Sequence, residues 1–445
     1  MTTSTIVAPA TPHGIGGIAV VRLSGPQSRD IVYKLINNNR LGARIASLFN
    51  IFDTMGRHID EAVITFFKAP NSYTGEDVVE LSCHGNPLIV EKVVSACASY
   101  GAKIAEAGEF TRRAFINGKV DLLQAEAVAS LIHAKSEESS SLNLRLMSGE
   151  LSKKINNIQD LLIKAASFTE FELDISEEEL QPNVLDKIKS ISTDINNNLS
   201  NLLSSYKQAR LLNKGALVVI AGEPNVGKST LLNALSETDR AITSDTPGTT
   251  RDAIDVPLLL DGVPINLIDT AGIRNTEEEI ESEGVKRSHG YIEKADLVLM
   301  IKDASNTKND EIVLPENAII IHNKIDLLSK AETKNIHIST DNHLFVSAKT
   351  GEGLDLLKKN IKSELGISPS ISSVLSITTA RQHNALIKCQ ESVSAVFRLL
   401  EDNPVSFELI SIELREALDN IGAILGKTTP DDILNNIFGQ FCVGK

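Results

Sequence analysis

One segment restricts this chain more than any other: ALVVIAGEPNVGKSTLLNAL, Ala216 to Leu235. Its unbroken apolar opening reads as a strand buried on both faces. Gly222 to Ser229 then matches GxxxxGK[ST] and runs straight into a helical sequence, the strand, loop and helix context that the motif requires. In that geometry backbone N–H groups and the helix N-terminus cradle phosphate oxygens. Lys228 reaches the β and γ phosphates, and the Ser229 hydroxyl takes Mg²⁺. Asn225, Val226, Gly227, Lys228, Ser229 and Thr230 are therefore the expected phosphate-binding residues, and a nucleoside triphosphate is the expected ligand.

The base is specified further along. INLIDT (265–270), DLVLMIKD (296–303), AIIIHNKID (318–326) and HLFVSAK (343–349) repeat the apolar-strand texture with helical stretches between them. Buried strands alternating with helices predict a doubly wound α/β domain. One strand ends in DTAG (Asp269, Thr270, Ala271, Gly272) and another in NKID (Asn323, Lys324, Ile325, Asp326), which are GTPase motifs in GTPase order. Asp326 can accept from N1–H and the 2-amino group of guanine. Adenine has no donor at N1 and would leave that carboxylate unpaired, so GTP is expected. Ser347, Ala348 and Lys349 would close over the base edge.

Between the phosphate loop and DTAG lies a switch candidate, Ser244, Asp245, Thr246, Pro247, Gly248, Thr249 and Thr250. Thr250 can supply the second Mg²⁺ hydroxyl and Asp269 a water-mediated contact. Many regulatory GTPases place Gln after DxAG to orient the attacking water. Here the residue is Ile273, so hydrolysis needs another group and the γ-phosphate charge needs another cation. Glu277, Glu278, Glu279, Glu281 and Glu283 are candidates among which the bare residues do not choose.

The remaining residues bound the class. At 445 residues the chain exceeds one core, so two to four domains are expected at roughly 100–150 residues each. The formal charge of −14, from 44 basic and 58 acidic residues, excludes a coating for bulk nucleic-acid binding but leaves room for a local basic patch. Cys83, Cys97, Cys389 and Cys442 form no CxxC pair, which indicates neither zinc site nor disulfide framework and fits a reducing cytoplasm. No apolar stretch approaches the roughly 20 residues of a bilayer span, and MTTSTIVAPATP has no leader character.

Along the chain, GGIAVVRL, AVITFF and VVELSC within residues 1–117 predict an α+β domain. From Val120 the period becomes helical, with Ile155, Ile158, Leu162 and Ala165, then Ile188, Ile191, Ile195, Leu199 and Leu202 on single faces. Helical texture returns after Ser368 in SFELISIELREALDNIGAIL, and Thr429, Pro430 and Asp432 signal a last helix. The α/β domain thus reads as an insertion into a helical one.

GEPNVGKS, GTTRD, DTAGIR and NKID, with TGEDVVELSCHGN, AGEFTRRAFINGKVDLLQAEA and the closing FCVGK, resemble the tRNA-modification GTPase family known as MnmE or TrmE over the whole chain. The resemblance implies a multidomain fold: an N-terminal α+β domain that binds tetrahydrofolate and dimerises (1–118), an all-α helical domain (119–213 plus 369–445), and an inserted α/β P-loop GTPase domain (214–368). It implies a homodimer that works with a flavin-containing MnmG/GidA-type partner in a heterotetramer or larger. Together they add an aminomethyl-type group, such as carboxymethylaminomethyl, at carbon 5 of the wobble uridine of certain tRNAs, from 5-formyl- or 5,10-methylene-tetrahydrofolate.

Carried over by position, the resemblance puts a K⁺ site at Asn225, Ser244, Thr246 and Thr249, in the place of an arginine finger, and the catalytic glutamate at Glu281. Thr246-Pro247 departs from the aliphatic and small pair usual there. Arg22, Glu80, Lys119 and Lys445 match folate-binding positions, and Cys442 matches a residue implicated in the modification chemistry. A carboxylate suits the donor pair of a pterin, and cations suit a glutamate tail. Phe441 is expected to anchor the chain end by burial. Arg112 and Arg113 read as solvated helix charges, with an RNA patch as the alternative. A regulatory GTPase acting in ribosome assembly, or one that only gates the partner's chemistry, would carry the same G motifs.

Overall fold

The computed structural model describes residues 4–174, 183–238, 255–269, 290–306, 315–328, 339–340, 343–367 and 375–444. The switch loop Ser244–Thr250, Thr270–Gly272, Glu281 and Lys445 lie outside the described residues.

Packing divides the chain into two compact units. The first holds Met1–Ala129, Leu146–Ile195 and Lys388–Lys445, and the second Ser130–Arg145 and Asn196–Ile387.

In the first unit β1 (Ile6–Pro9), β2 (Gly16–Ser24), β3 (Ser47–Phe52), β4 (His58–Phe67), β5 (Val78–Gly85) and β6 (Lys103–Ile104) form a six-stranded sheet of order β3-β4-β5-β2-β1-β6. All neighbours are antiparallel except β1 and β6. Period-2 alternation decides which face is covered: Val21, Leu23, Val79, Leu81 and Cys83 are buried under α1 (Ser28–Ile36) and α2 (Pro87–Ser99). Asn86 caps α2 by accepting from the Leu88 amide, with Pro87 pre-set for the first turn. The intervening residues, Glu80 among them, fall on the other face.

α3 (Glu109–Ile116) and α4 (Leu122–Ile132) follow the sheet. Next come α5 (Glu137–Met147), α6 (Glu150–Asp174) and α7 (Val184–Lys214), the last two carrying the single-face aliphatic series expected of them. Ile155, Ile158, Leu162, Ala165, Ile188, Ile195 and Leu199 are each 0% exposed, which is why these long helices hold together.

The second unit contains β7 (Ala216–Gly222), α8 (Lys228–Thr238), β8 (Asp255–Leu260), β9 (Val263–Asp269), β10 (Leu297–Asp303), β11 (Ala318–Asn323), β12 (Ser339–Thr340), β13 (His343–Phe345) and α9 (Leu354–Leu365). Its seven-stranded sheet has the order β12-β13-β11-β10-β7-β9-β8. β13, β11, β10, β7 and β9 run parallel, and β8 and β12 close the edges antiparallel. The order reverses at β7, so β7 and β10 emerge side by side where a doubly wound sheet opens its ligand crevice.

α10 (Ala380–Leu399), α11 (Phe407–Leu425) and α12 (Asp431–Phe438) complete the chain. Ser406 caps α11 by accepting from the Leu409 amide. α12 begins where Pro430 and its neighbours announce it, but no side chain caps it, and the Thr429 hydroxyl turns back to the Ala423 carbonyl instead.

Candidate functional site

The phosphate loop follows β7 as the motif demands. Lys228, 6% exposed, donates to the carbonyls of Gly222 at 2.8 Å and Glu223 at 2.6 Å, so its ammonium is held over the loop. Gly227 has φ +93°, and a Cβ there would come 2.4 Å from Asn323 Nδ2. The loop therefore passes too close to β11 for any side chain. Ser229 and Thr230 are exposed at the start of α8.

Asn323 connects this loop to the base motifs. Its amide donates to the Val226 carbonyl at 2.9 Å, and its oxygen accepts from the Ala348 amide at 3.0 Å. Lys324, at φ +69°, donates to the Asn225 carbonyl at 2.6 Å and pairs with Asp303 at 2.7 Å. Burial acts to raise the Asp303 carboxyl, but hydrogen bonds from Lys324 and Ser305 hold it below its ordinary value. Asp326 is exposed and accepts from the buried Ser347 hydroxyl at 2.6 Å. Thus Asn225–Thr230, Asn323, Lys324, Asp326, Ser347 and Ala348 come together, with Lys349 exposed beside them. Asp303, at the end of β10, was not singled out in the sequence. Its signal is weak, an acidic residue ending a parallel strand.

A second cluster lies in the first unit. Arg22 and Glu80 are register partners across β2 and β5, and their side chains pair at 2.8 Å. The Arg22 guanidinium lies over the rings of Tyr73 at 5.6 Å and Phe110 at 5.8 Å. Lys119 is not part of this pair; it donates to the Pro70 carbonyl at 3.1 Å.

The chain end reaches the same region. Phe441 is 7% exposed and packs against Phe438 at 5.5 Å, as its predicted anchoring requires. Val443 forms an antiparallel bridge to Ala107, and Arg22 Nη1 lies 3.5 Å from the Gly444 carbonyl. Cys442 is exposed, whereas burial pushes the thiols of Cys97 and Cys389 up to about 12.

Arg113 departs from its reading as a solvated charge. It is 2% exposed and pairs with Glu76 at 3.1 Å and Glu109 at 2.7 Å. A structural ion triad cannot serve an RNA patch. Arg113 shares the buried face of α3 with Phe110, Thr111 and Ala114, and the partner Glu76 that balances its charge there comes from a distant part of the chain.

Comparison with known proteins finds relatives along the whole chain. The family model "GTP-binding protein TrmE N-terminus" matches residues 5–119, and "MnmE helical domain" matches 122–442. A curated "tRNA modification GTPase MnmE" from Aquifex aeolicus is 39% identical over 99% of both chains. One of the same description from Legionella pneumophila is 37% identical over 100% of both. Among solved structures, the G domain of the T. maritima FeoB iron transporter is 28% identical, covering 34% of this chain and 98% of that one. Its TM-score of 0.23 is too low to bear on the fold. With family-model matches in both units and relatives matching end to end, the chain belongs to the MnmE (TrmE) family of tRNA-modification GTPases.

Proposed function

We propose that this chain hydrolyses GTP in a K⁺-dependent manner. With a flavoprotein of the MnmG/GidA type, it adds an aminomethyl-type group at carbon 5 of wobble uridine in certain tRNAs. The observation that carries the GTP half is the pair of hydrogen bonds made by the Asn323 amide, one to the phosphate loop and one to the Ser347–Ala348 loop. The side-chain-free approach at Gly227 suits phosphate oxygens bound by backbone N–H groups. Asp326 would read guanine, with Ser347 orienting its carboxylate.

Ser229 and Thr250 would hold Mg²⁺, and Asn225, Ser244, Thr246 and Thr249 would hold K⁺. These cations would neutralise charge developing on the transferred phosphoryl group. Glu281 would orient the attacking water that Ile273 cannot.

The N-terminal cluster fits a tetrahydrofolate derivative. Glu80 has a second oxygen for a pterin donor pair, Tyr73 and Phe110 provide aromatic surface, and Arg22, Lys119 and Lys445 would bind carboxylates. Such a derivative supplies a one-carbon unit when bound. Cys442, exposed at the tail, would act as nucleophile or acid near it.

The arrangement proposed is three domains, 1–118, 119–213 plus 369–445, and 214–368, in a cytoplasmic homodimer. Mass spectrometry of tRNA nucleosides from cells lacking the chain tests the reading. The C5-modified wobble uridine should disappear and return on complementation; an unchanged nucleoside profile overturns the proposal.

A further inference from the structure

The last described residues do not fray. Phe441 is buried in a cluster with Leu122, Leu434 and Phe438, Val443 bridges to Ala107, and Gly444 follows at φ +97°. A Cβ at Gly444 would lie 1.9 Å from the Pro9 carbonyl oxygen and 3.1 Å from the Ala10 Cα. Both are backbone atoms and cannot rotate away. The Gly444 carbonyl meanwhile faces Arg22, which is fixed by Glu80 and flanked by Tyr73 and Phe110.

We propose that Gly444 is a positioning residue: its missing side chain lets the tail backbone close against Pro9, making that backbone one wall of the folate site beside Arg22 and Glu80. The proposal rests on the N-terminal cluster being a folate site. Two requirements act at this position, a left-handed φ and close backbone contact, and any L side chain violates both. Alanine would lift the tail's last turn and draw the Gly444 carbonyl from Arg22. Cys442, held between the Phe441 and Val443 anchors, would move with it.

The test ligates synthetic C-terminal peptides, with glycine, L-alanine or D-alanine at position 444, to the chain lacking those last residues, which restores the full length. D-alanine favours the positive φ and projects its methyl on the other side of the backbone. Calorimetry with 5-formyltetrahydrofolate measures the site, and the iodoacetamide alkylation rate of Cys442 measures the tail. Cys83, Cys97 and Cys389 are buried and serve as internal controls.

The L-alanine chain should bind folate at least about tenfold more weakly, the scale of losing one well-placed polar contact. Its Cys442 rate should shift, while D-alanine restores both properties. Parent-like affinity in the L-alanine chain overturns the proposal. If the parent chain itself fails to bind 5-formyltetrahydrofolate, the folate reading fails instead. The tail is then judged on alkylation alone, and equal rates in the L-alanine and parent chains overturn its positioning.

Discussion

Asn323 donates to the Val226 carbonyl at 2.9 Å from a side chain that is 2% exposed. The end of β11 is thereby tied to the phosphate loop, and the same side chain accepts from Ala348. The phosphate loop and the Ser347–Ala348 loop share one buried amide.

Asn323→Ala therefore leaves the Val226 carbonyl and the Ala348 amide without this partner, at about 1–3 kcal/mol for each buried group left unsatisfied. GTP affinity should fall at least about tenfold in a fluorescent-nucleotide titration. Unchanged affinity would show that the two loops hold their places independently.

Asp326→Asn removes the charge that the proposed guanine contacts need. Charged hydrogen bonds contribute about 1.5–3 kcal/mol, so GTP binding should weaken roughly 10- to 150-fold. Xanthosine triphosphate, with a carbonyl in place of the 2-amino group, should gain affinity. Competition between the two nucleotides reads both effects in one assay.

GTP turnover should be faster in K⁺ than in Na⁺ at equal ionic strength, and equal rates would remove the cation mechanism. Glu281→Ala should keep GTP affinity and lose most hydrolysis; an active variant would move the role elsewhere in the acidic run.

Arg113→Met deletes the cation between Glu76 and Glu109 in a position 2% exposed. Breaking a buried pair by removing one partner costs about 3–5 kcal/mol. The variant's urea midpoint should drop accordingly, and a drop of a few tenths of a kcal/mol would mean that water reaches both carboxylates.

His322 stacks on Phe345 with centroids 4.6 Å apart and bonds His343 at 3.0 Å between Nε2 and Nδ1. Burial, then the His343 ring and the Lys302 charge, lowers its pKa from the ordinary 6.5 to about 4. Between those values the unfolded chain binds the proton and the folded one does not. The stability contribution is therefore whole above pH 6.5 and is lost as pH falls toward 4. Denaturation midpoints should decline across that window, and His322→Gln should flatten the decline.

Much of this was legible in the residues because the constraints are local. A phosphate loop needs Gly227 and Lys228 at fixed spacing after an apolar strand, and the parallel strands betray themselves as unbroken Ile, Leu and Val runs. The long helices were equally readable from Ile155 to Ala165, where the buried face recurs at helical spacing. Arg113 was misread because burial of a charge depends on partners distant in sequence, here Glu76. Asp303 was missed because its role comes from Lys324, which arrives from the next strand.

By itself the amino-acid order determined the nucleotide-binding motifs, their order and the helical periods, since each is set by neighbours within a few residues. Only the tertiary structure decided that Arg22 meets Glu80 through strand register and that Gly444 lies against Pro9. Such pairings arise where chain segments far apart in sequence are packed into one core, and no local pattern encodes the distance between them.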